Sequence, residues 1–314
     1  MVFYIVSTMI KTYYMLNKQI LNTKMSVPKL YESEDYLFVN KQYDMYINSE
    51  DENEKNSVTY NIAKHDSHHS TSSNPLHFVH RLDYATSGVL CIAKNKRASA
   101  IAGKLFEKRE TKKYYLAVVR GHVEFDLCDI EYSVGTDALT ASSSHKMVAV
   151  TSLPETALTT TVHPRPAHTR VLLLETGYYC NDPVSVILLK PVTGRRHQLR
   201  VHCAAIGHTI LGDYTYSNAE DSAPYRMFLH AMRLILPLPQ ETLDIQTSEP
   251  FFTDEKFSSK YRSLRKLHTF WSKNEFIKVC DATDQPLMIG VKYKIFKPHT
   301  NNESNSFTDN KDKD

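Results

Sequence analysis

The sequence has no Gly-rich loop of the kind that cradles phosphates and no spaced set of histidines and cysteines, so nothing in it invites a phosphate-loop or metal-centred reading. Its five cysteines, Cys91, Cys128, Cys180, Cys203 and Cys280, are odd in number, scattered and never paired as CxxC. That argues against a disulfide framework or zinc ribbon and fits a reducing compartment. His65, His68 and His69 lie in a Ser- and Asn-rich stretch without partner cysteines and read as a polar loop. Long hydrophobic runs are missing too: Met1 to Ile10 is apolar but far short of the roughly 20 residues a membrane span needs. No membrane partner is expected. The segment 1–29 has lysines but no acidic residue and no arginine, so it reads either as a dispensable leader, with Met25 as the true start, or as a targeting signal. An intracellular place is expected, cytoplasmic or nuclear, with the mitochondrion as the alternative. A charge excess is also lacking, with 38 Lys and Arg against 35 Asp and Glu, and there is no internal repeat.

What remains is a chain of 314 residues, 41% hydrophobic, long enough for a sizeable core in one large domain or two small ones. Basic charge gathers locally. From Lys94 to Arg120, nine Lys and Arg stand against Glu107 and Glu110 alone, a pattern that suits a polyanion and equally suits a solvated helix face. Leu30 to Ile47 is expected to open the fold as a strand pair, and the polar stretch 49–74 to be a mobile insertion facing solvent. A strand over Gly88–Lys94, a helix from Lys96 to Glu110 capped by Asn95 and a strand over Lys113–Val119 should follow. Short edge strands are expected at Tyr132–Thr136 and Val148–Val150, and longer ones at Arg170–Glu175 and Ser185–Lys190. A helix should run from Arg195 to Ile206 after the Thr193-Gly194 turn, and another apolar element over Met227–Leu236. The core is expected to end near Phe252. Tyr261, Leu264, Leu267 and Trp271, at spacings of three and four, predict a peripheral amphipathic helix over Lys256–Ser272.

Two stretches concentrate chemistry. In His80-Arg81-Leu82-Asp83 a carboxylate stands beside two cationic side chains, in a loop that Thr86-Ser87-Gly88 holds against a strand; such a group serves as a nucleophile or caps a turn. In Thr193-Gly194-Arg195-Arg196-His197-Gln198-Leu199-Arg200, Arg196 and Arg200 are four apart and are expected to share a helix face. A helix N-terminus bearing arginines suits phosphate, although an exposed basic helix explains the spacing nearly as well.

The segment HRLDYATSGVLCIAKNK, from His80 to Lys96, resembles the signature of the RluA-type pseudouridine synthases. KYYLAVVRGHV from Lys113 and KPVTGRRHQLRVHCAAIGHTILGD from Lys190 resemble the second and third motifs of that family, and LHAMRL from Leu229 its closing motif, in the expected order. The resemblance implies an RNA pseudouridine synthase, an isomerase needing no cofactor or metal, with RNA as substrate and no obligatory protein partner. It implies an α/β (α+β) fold: a mixed, largely antiparallel sheet with the active-site cleft across its middle and helices around it. The catalytic domain would cover 30–252 with the insertion 49–74, followed by a C-terminal extension over 253–300 and a disordered tail over 301–314.

By the same resemblance Asp83 is the nucleophile. Tyr115 packs on the target base and is placed to take up the C5 proton, with Tyr114 its rival on the opposite strand face. Arg200 pairs with Asp83 and keeps it anionic in a closed pocket. Arg81 would fill the stack that a flipped uridine leaves, and His80, Lys94, Lys112, Lys113, Arg195, Arg196 and His197 are expected RNA contacts. Lys41-Gln42-Tyr43-Asp44 departs from the Lys-Pro-x-Gly common in the family, which puts a turn in question while touching none of the proposed catalytic residues. With too little chain before Leu30 for the small RNA-binding domain of many relatives, the Lys94–Arg120 cluster is expected to grip the RNA. The rival reading is a catalytically silent RNA-binding or assembly factor on the same scaffold, which the presence of Asp83, Tyr115 and Arg200 together disfavours.

Overall fold

The computed structural model describes residues 27–51, 54–65, 76–138, 146–152, 161–285 and 290–298, so that nearly all of the leader, part of the polar stretch and the whole of the tail fall outside it. The chain forms two compact units, interleaved in sequence. One contains the residues up to Leu116 together with Arg226–Phe251, the other Ala117–Tyr225 together with Phe252 onward.

The first unit is built on β1 (Lys29–Glu32), β2 (Tyr36–Lys41), β3 (His77–Phe78) and β4 (Ser87–Ala93), with β12 (Leu229–Pro237) and β13 (Thr242–Gln246). β2 runs antiparallel along all of β4, from Tyr36 opposite Ala93 to Lys41 opposite Gly88, while β12 runs parallel to β4 and antiparallel to β13. β4 is buried at every position, which is why its sequence is a continuous apolar run and not an alternating one. Two helices accompany these strands, α1 (Val58–His65) and α2 (Lys96–Glu107). α1 lies inside the stretch expected to be an insertion; Val58 and Ile62, four apart among polar residues, are buried and anchor it. In α2 the Asn95 side chain accepts from the Ala98 N–H at 2.9 Å, as its sequence suggested. The helix stops at Glu107 instead of Glu110 because Arg109 takes a left-handed conformation (φ 62°), letting the Glu110 N–H return to the Leu105 carbonyl. Ala98 and Ala102 seat the helix against Tyr36, Phe38, Val89 and Cys91. The boundary between the units falls within β5 (Lys112–Arg120).

The second unit centres on the hairpin of β10 (Thr169–Tyr179) and β11 (Asp182–Pro191), closed by Cys180 and Asn181, both left-handed. The start of β10 pairs with β6 (Leu127–Ile130) and its end with β14 (Tyr261–Lys266), both antiparallel, and β15 (Tyr293–Phe296) lies parallel to β6. A separate antiparallel sheet joins β7 (Ser133–Asp137), β8 (Met147–Val150) and β9 (Thr161–Arg165). α3 (Gln198–Ala205) packs Val201 against this sheet at Val134, beside Ala167. α4 (Glu255–Ser258) and α5 (Lys273–Asp284) complete the unit. The strand pairing is thus mixed and largely antiparallel, with the helices of an α+β fold.

Two expectations fail in the C-terminal extension. The helix over Lys256–Ser272 is instead a one-turn helix and the strand β14. Tyr261 goes to the interior, where its hydroxyl donates to the buried Glu175 carboxylate at 2.9 Å, while Leu264 and Trp271 stay 54% and 45% exposed. The apolar spacing therefore lined no buried helical stripe, and the open edge of β10 took the segment as a partner. Nor does the core end near Phe252, since Phe257, Phe270, Phe276, Val279 and Cys280 are all buried. Among the described residues no helix is long and apolar enough to cross a membrane.

Candidate active site

The half-buried Asp83 sits in the tight turn that feeds β4, where the Thr86 N–H donates to the Asp83 carbonyl at 3.1 Å. The turn is braced by the segment that departs from the family pattern. Lys41, at the end of β2 and 0% exposed, donates from Nζ to the carbonyls of Gln42 (2.9 Å), Tyr84 (2.9 Å) and Thr86 (2.8 Å), and the Met45 N–H also donates to the Tyr84 carbonyl at 3.1 Å. The segment bonds none of the proposed catalytic side chains in these contacts, but it holds the backbone on the C-terminal side of Asp83. Burial pushes the Lys41 ammonium down to about 7, while the charges of Asp44 and Asp83 pull it up and that of Arg226 pushes it down. Arg226, itself buried, lies 4.4 Å from the Tyr43 ring and donates to the Ser87 hydroxyl at 2.5 Å. His230 continues this network, contacting the Ser87 hydroxyl at 2.7 Å and the Thr247 hydroxyl at 2.7 Å.

β5 supplies the two tyrosines, both buried. Burial, and after it the charge of Asp83, raises the Tyr115 phenol far above its ordinary value, so it stays neutral within reach of that charge. Tyr114 turns elsewhere, its ring 5.7 Å from the Arg233 guanidinium. The structure thus groups Asp83, Tyr115 and Lys41 within one unit.

His80 brings no positive charge to this group. Its Nε2 accepts the Cys91 N–H at 2.8 Å, its ring stacks on Phe106 at 4.7 Å, and burial, with a smaller push from Lys113, lowers it to about 3. Burial and then Arg109 lower Lys113 to about 8. Arg81 and Lys112 are exposed. Lys94 is engaged by Glu32 at 3.0 Å and by the Ser33 carbonyl at 2.9 Å, Arg97 by Asp35, and Arg120 by Asp221 and Asp182. Part of the basic cluster is thus neutralised by acids distant in sequence, which a local charge count does not see.

In the second unit the Thr193-Gly194-Arg195 turn is organised by Gln198. Its side-chain carbonyl accepts from the Thr193 hydroxyl (2.7 Å) and the Arg195 N–H (2.9 Å), while its amide donates to the His168 carbonyl and the Thr169 hydroxyl, both at 2.9 Å. His197 is left-handed (φ 53°), so α3 begins only at Gln198. Arg195 and Arg196 consequently precede the helix, and the shared helical face expected for Arg196 and Arg200 does not exist. Arg195 Nε donates to the Pro166 carbonyl at 3.0 Å, His197 Nδ1 meets the Tyr216 hydroxyl at 3.0 Å, and Arg196 Nε is buried without a hydrogen-bond partner among the described residues. Arg200 makes a two-pronged pair with the buried Asp213, Nε and Nη2 each 2.7 Å from a carboxylate oxygen, and lies 4.9 Å from the Tyr216 ring.

Lys41, Arg226 and Asp213 are the residues that sequence reasoning passed over. Asp213 closes the third motif and carried a signal there, and Lys41 matches the first position of the family's Lys-Pro-x-Gly, whereas Arg226 carried none; the Tyr84, Thr86 and Ser87 groups that Lys41 and Arg226 hold are distant in the chain. Among the described residues no group of three or more His, Cys, Asp or Glu could hold a metal ion.

A family model described as RNA pseudouridylate synthase matches residues 35–205. RNA pseudouridylate synthase domain-containing protein 1 of Mus musculus is 42% identical over 230 residues, covering 71% of this chain and 72% of that protein. The dual-specificity RNA pseudouridine synthase RluA of Escherichia coli K12 is 36% identical over 164 residues, 51% of this chain and 67% of that one. The solved structure of human RNA pseudouridylate synthase domain containing 1 superposes with a TM-score of 0.68 at 32% identity, covering 83% of this chain and 97% of that chain.

Proposed function

The chain belongs to the RNA pseudouridylate synthase family, and from that premise we propose that it converts uridine in RNA to pseudouridine with the Asp83 carboxylate as nucleophile. The observation that carries the reading is the grouping of Asp83 with the neutral Tyr115 phenol, in a turn whose carbonyls are fixed by a buried lysine. The target nucleotide leaves its stack at a cost of a few kcal/mol, which phosphate contacts and an inserted side chain such as Arg81 offset. Asp83 attacks the nucleotide, the bond from C1′ to N1 breaks, the uracil rotates, C5 bonds to C1′, and the bond between the nucleotide and the Asp83 oxygen breaks, which frees the carboxylate. The C5 proton is then lost and N1 gains one, so the change is an isomerisation that consumes no co-reactant. A phenol held neutral is a poor base by itself, so Tyr115 takes up the C5 proton only while passing its own to an acceptor, a part that the Asp83 carboxylate fits. Arg200 is carried into the catalytic set by family resemblance.

The test uses total RNA labelled with [5-³H]uridine from cells lacking the protein, and reads tritium release by the purified chain. Wild type is expected to release tritium, and Asp83→Asn to melt like wild type and release none. Equal release by the variant would remove Asp83 from the nucleophile's role. RNA binding without release by the wild type would make the chain the silent RNA-binding factor.

A further inference from the structure

From Lys256 to Trp271 the chain carries Lys256, Lys260, Arg262, Arg265 and Lys266 and no acidic residue. Among the described residues β14 forms an edge here, pairing with β10 alone. Among the described residues none of these five cations lies within ion-pair distance of a carboxylate, unlike Lys94, Arg97 and Arg120, whose charges are already met. The register places Arg262 opposite Tyr178 and Arg265 opposite Thr176, so both guanidiniums stand on one face. The Arg262 guanidinium lies 4.5 Å from the Tyr178 ring.

At the end of the strip Trp271 is 45% exposed, one ring face stacked on the buried Phe270 at 4.5 Å and its edge set by Phe252 at 4.9 Å, with Lys266 Nζ 5.7 Å from the ring. Charged side chains on an edge strand also discourage edge-to-edge pairing, but that task needs neither a single sign of charge nor a rigidly backed indole. Cations along an extended strand beside anchored aromatics match the backbone and bases of an unpaired polynucleotide.

Resting on the reading that the chain acts on RNA, we propose that β14 and Trp271 form a second RNA-binding surface that holds single-stranded substrate outside the catalytic group. It lies in the C-terminal extension, beyond the matched residues 35–205, in a different part of the sequence from the Lys94–Arg120 cluster to which sequence alone assigned the grip.

The experiment titrates the full chain into a 5′-fluorescein-labelled 20-nucleotide oligouridine at several salt concentrations. Replacing Arg262, Arg265 and Lys266 together by Gln is expected to make the slope of log affinity against log salt shallower by about two, some 0.7 for each lost phosphate contact. The charge-preserving pair Arg262→Lys and Arg265→Lys should keep the wild-type slope. Trp271 is the sole tryptophan, so its emission should be quenched by the RNA. An unchanged slope in the Gln variant, or unquenched emission at saturating RNA, would overturn the surface. So would equal loss in the Lys pair, which would trace the effect to packing on Tyr178. Displacement of the RNA by polyglutamate at equal charge would do the same, marking a site for acidic protein. Failure of the isomerase reading shows separately, as absent tritium release by a wild type whose oligouridine slope still depends on β14.

Discussion

Two cations decide most at the scale of single residues, and each holds a group that lies beyond its own local segment. Arg200 and Asp213 are both buried and bonded twice; removing Arg200 leaves the buried Asp213 carboxylate without this guanidinium, at a cost of about 3–5 kcal/mol. Arg200→Ala is therefore expected to lower the denaturation midpoint strongly, and Arg200→Ala with Asp213→Ala to recover part of the loss. A single variant as stable as wild type would sink the claim. Lys41→Met orphans carbonyls that Lys41 now satisfies, at about 1–3 kcal/mol for each left without water. Since two of these flank Asp83 in the turn, tritium release should fall further than RNA affinity; an equal fall in both would show that Lys41 serves only stability. Asp83 and Tyr115 were singled out by the family resemblance of the motifs around them, whereas the hold of Lys41 on the turn was not legible because two of its acceptors lie 43 and 45 residues on.

Among the elements, β4 was read almost to the residue, because a continuous apolar run bounded by a Thr-Ser-Gly turn has few other solutions. Its start depends on Gly88, at φ 115°, where an added Cβ would come 2.3 Å from the Ala231 carbonyl oxygen of β12. Gly88→Ala should therefore cost about 1–3 kcal/mol in backbone strain and more from the collision, and displace the Asp83 turn. Near-native melting with full tritium release would contradict this. The Asn95 cap was equally local and equally legible. β14 was not: its residues repeat at helical spacing, and only the unfilled edge of β10 selects a strand. The start of α3 was misplaced for a similar reason, because Gln198 folds its side chain back on the preceding turn, an arrangement that spacing does not encode.

Over the molecule as a whole, burial lowers four histidines among the described residues: His80 to about 3, His202 to about 4, His230 well below its ordinary value, and His268 below its ordinary value. In the unfolded chain each takes a proton near pH 6.5, so the stability their burial allows is complete above that pH and is lost as the pH falls toward the folded values. The melting temperature should drop steadily from pH 7 to 4.5, with protons taken up on unfolding, and His202→Gln should drop less steeply. A flat profile over that range would refute the burial argument. By itself the sequence determined the apolar strands and the capped helix, which depend on neighbours within a few positions, and, through the resemblance of its four motifs, the fold class and the candidacy of Asp83. The tertiary structure alone decided that Arg200 is gripped by Asp213, that Lys41 secures the turn, that distant acids neutralise part of the basic cluster, and that the Lys256–Trp271 segment is a charged edge. The reason is physical: periodicity and propensity report a residue's immediate chain neighbours, while the cost of burying a charge is met by whichever group the fold brings within about 3 Å of it.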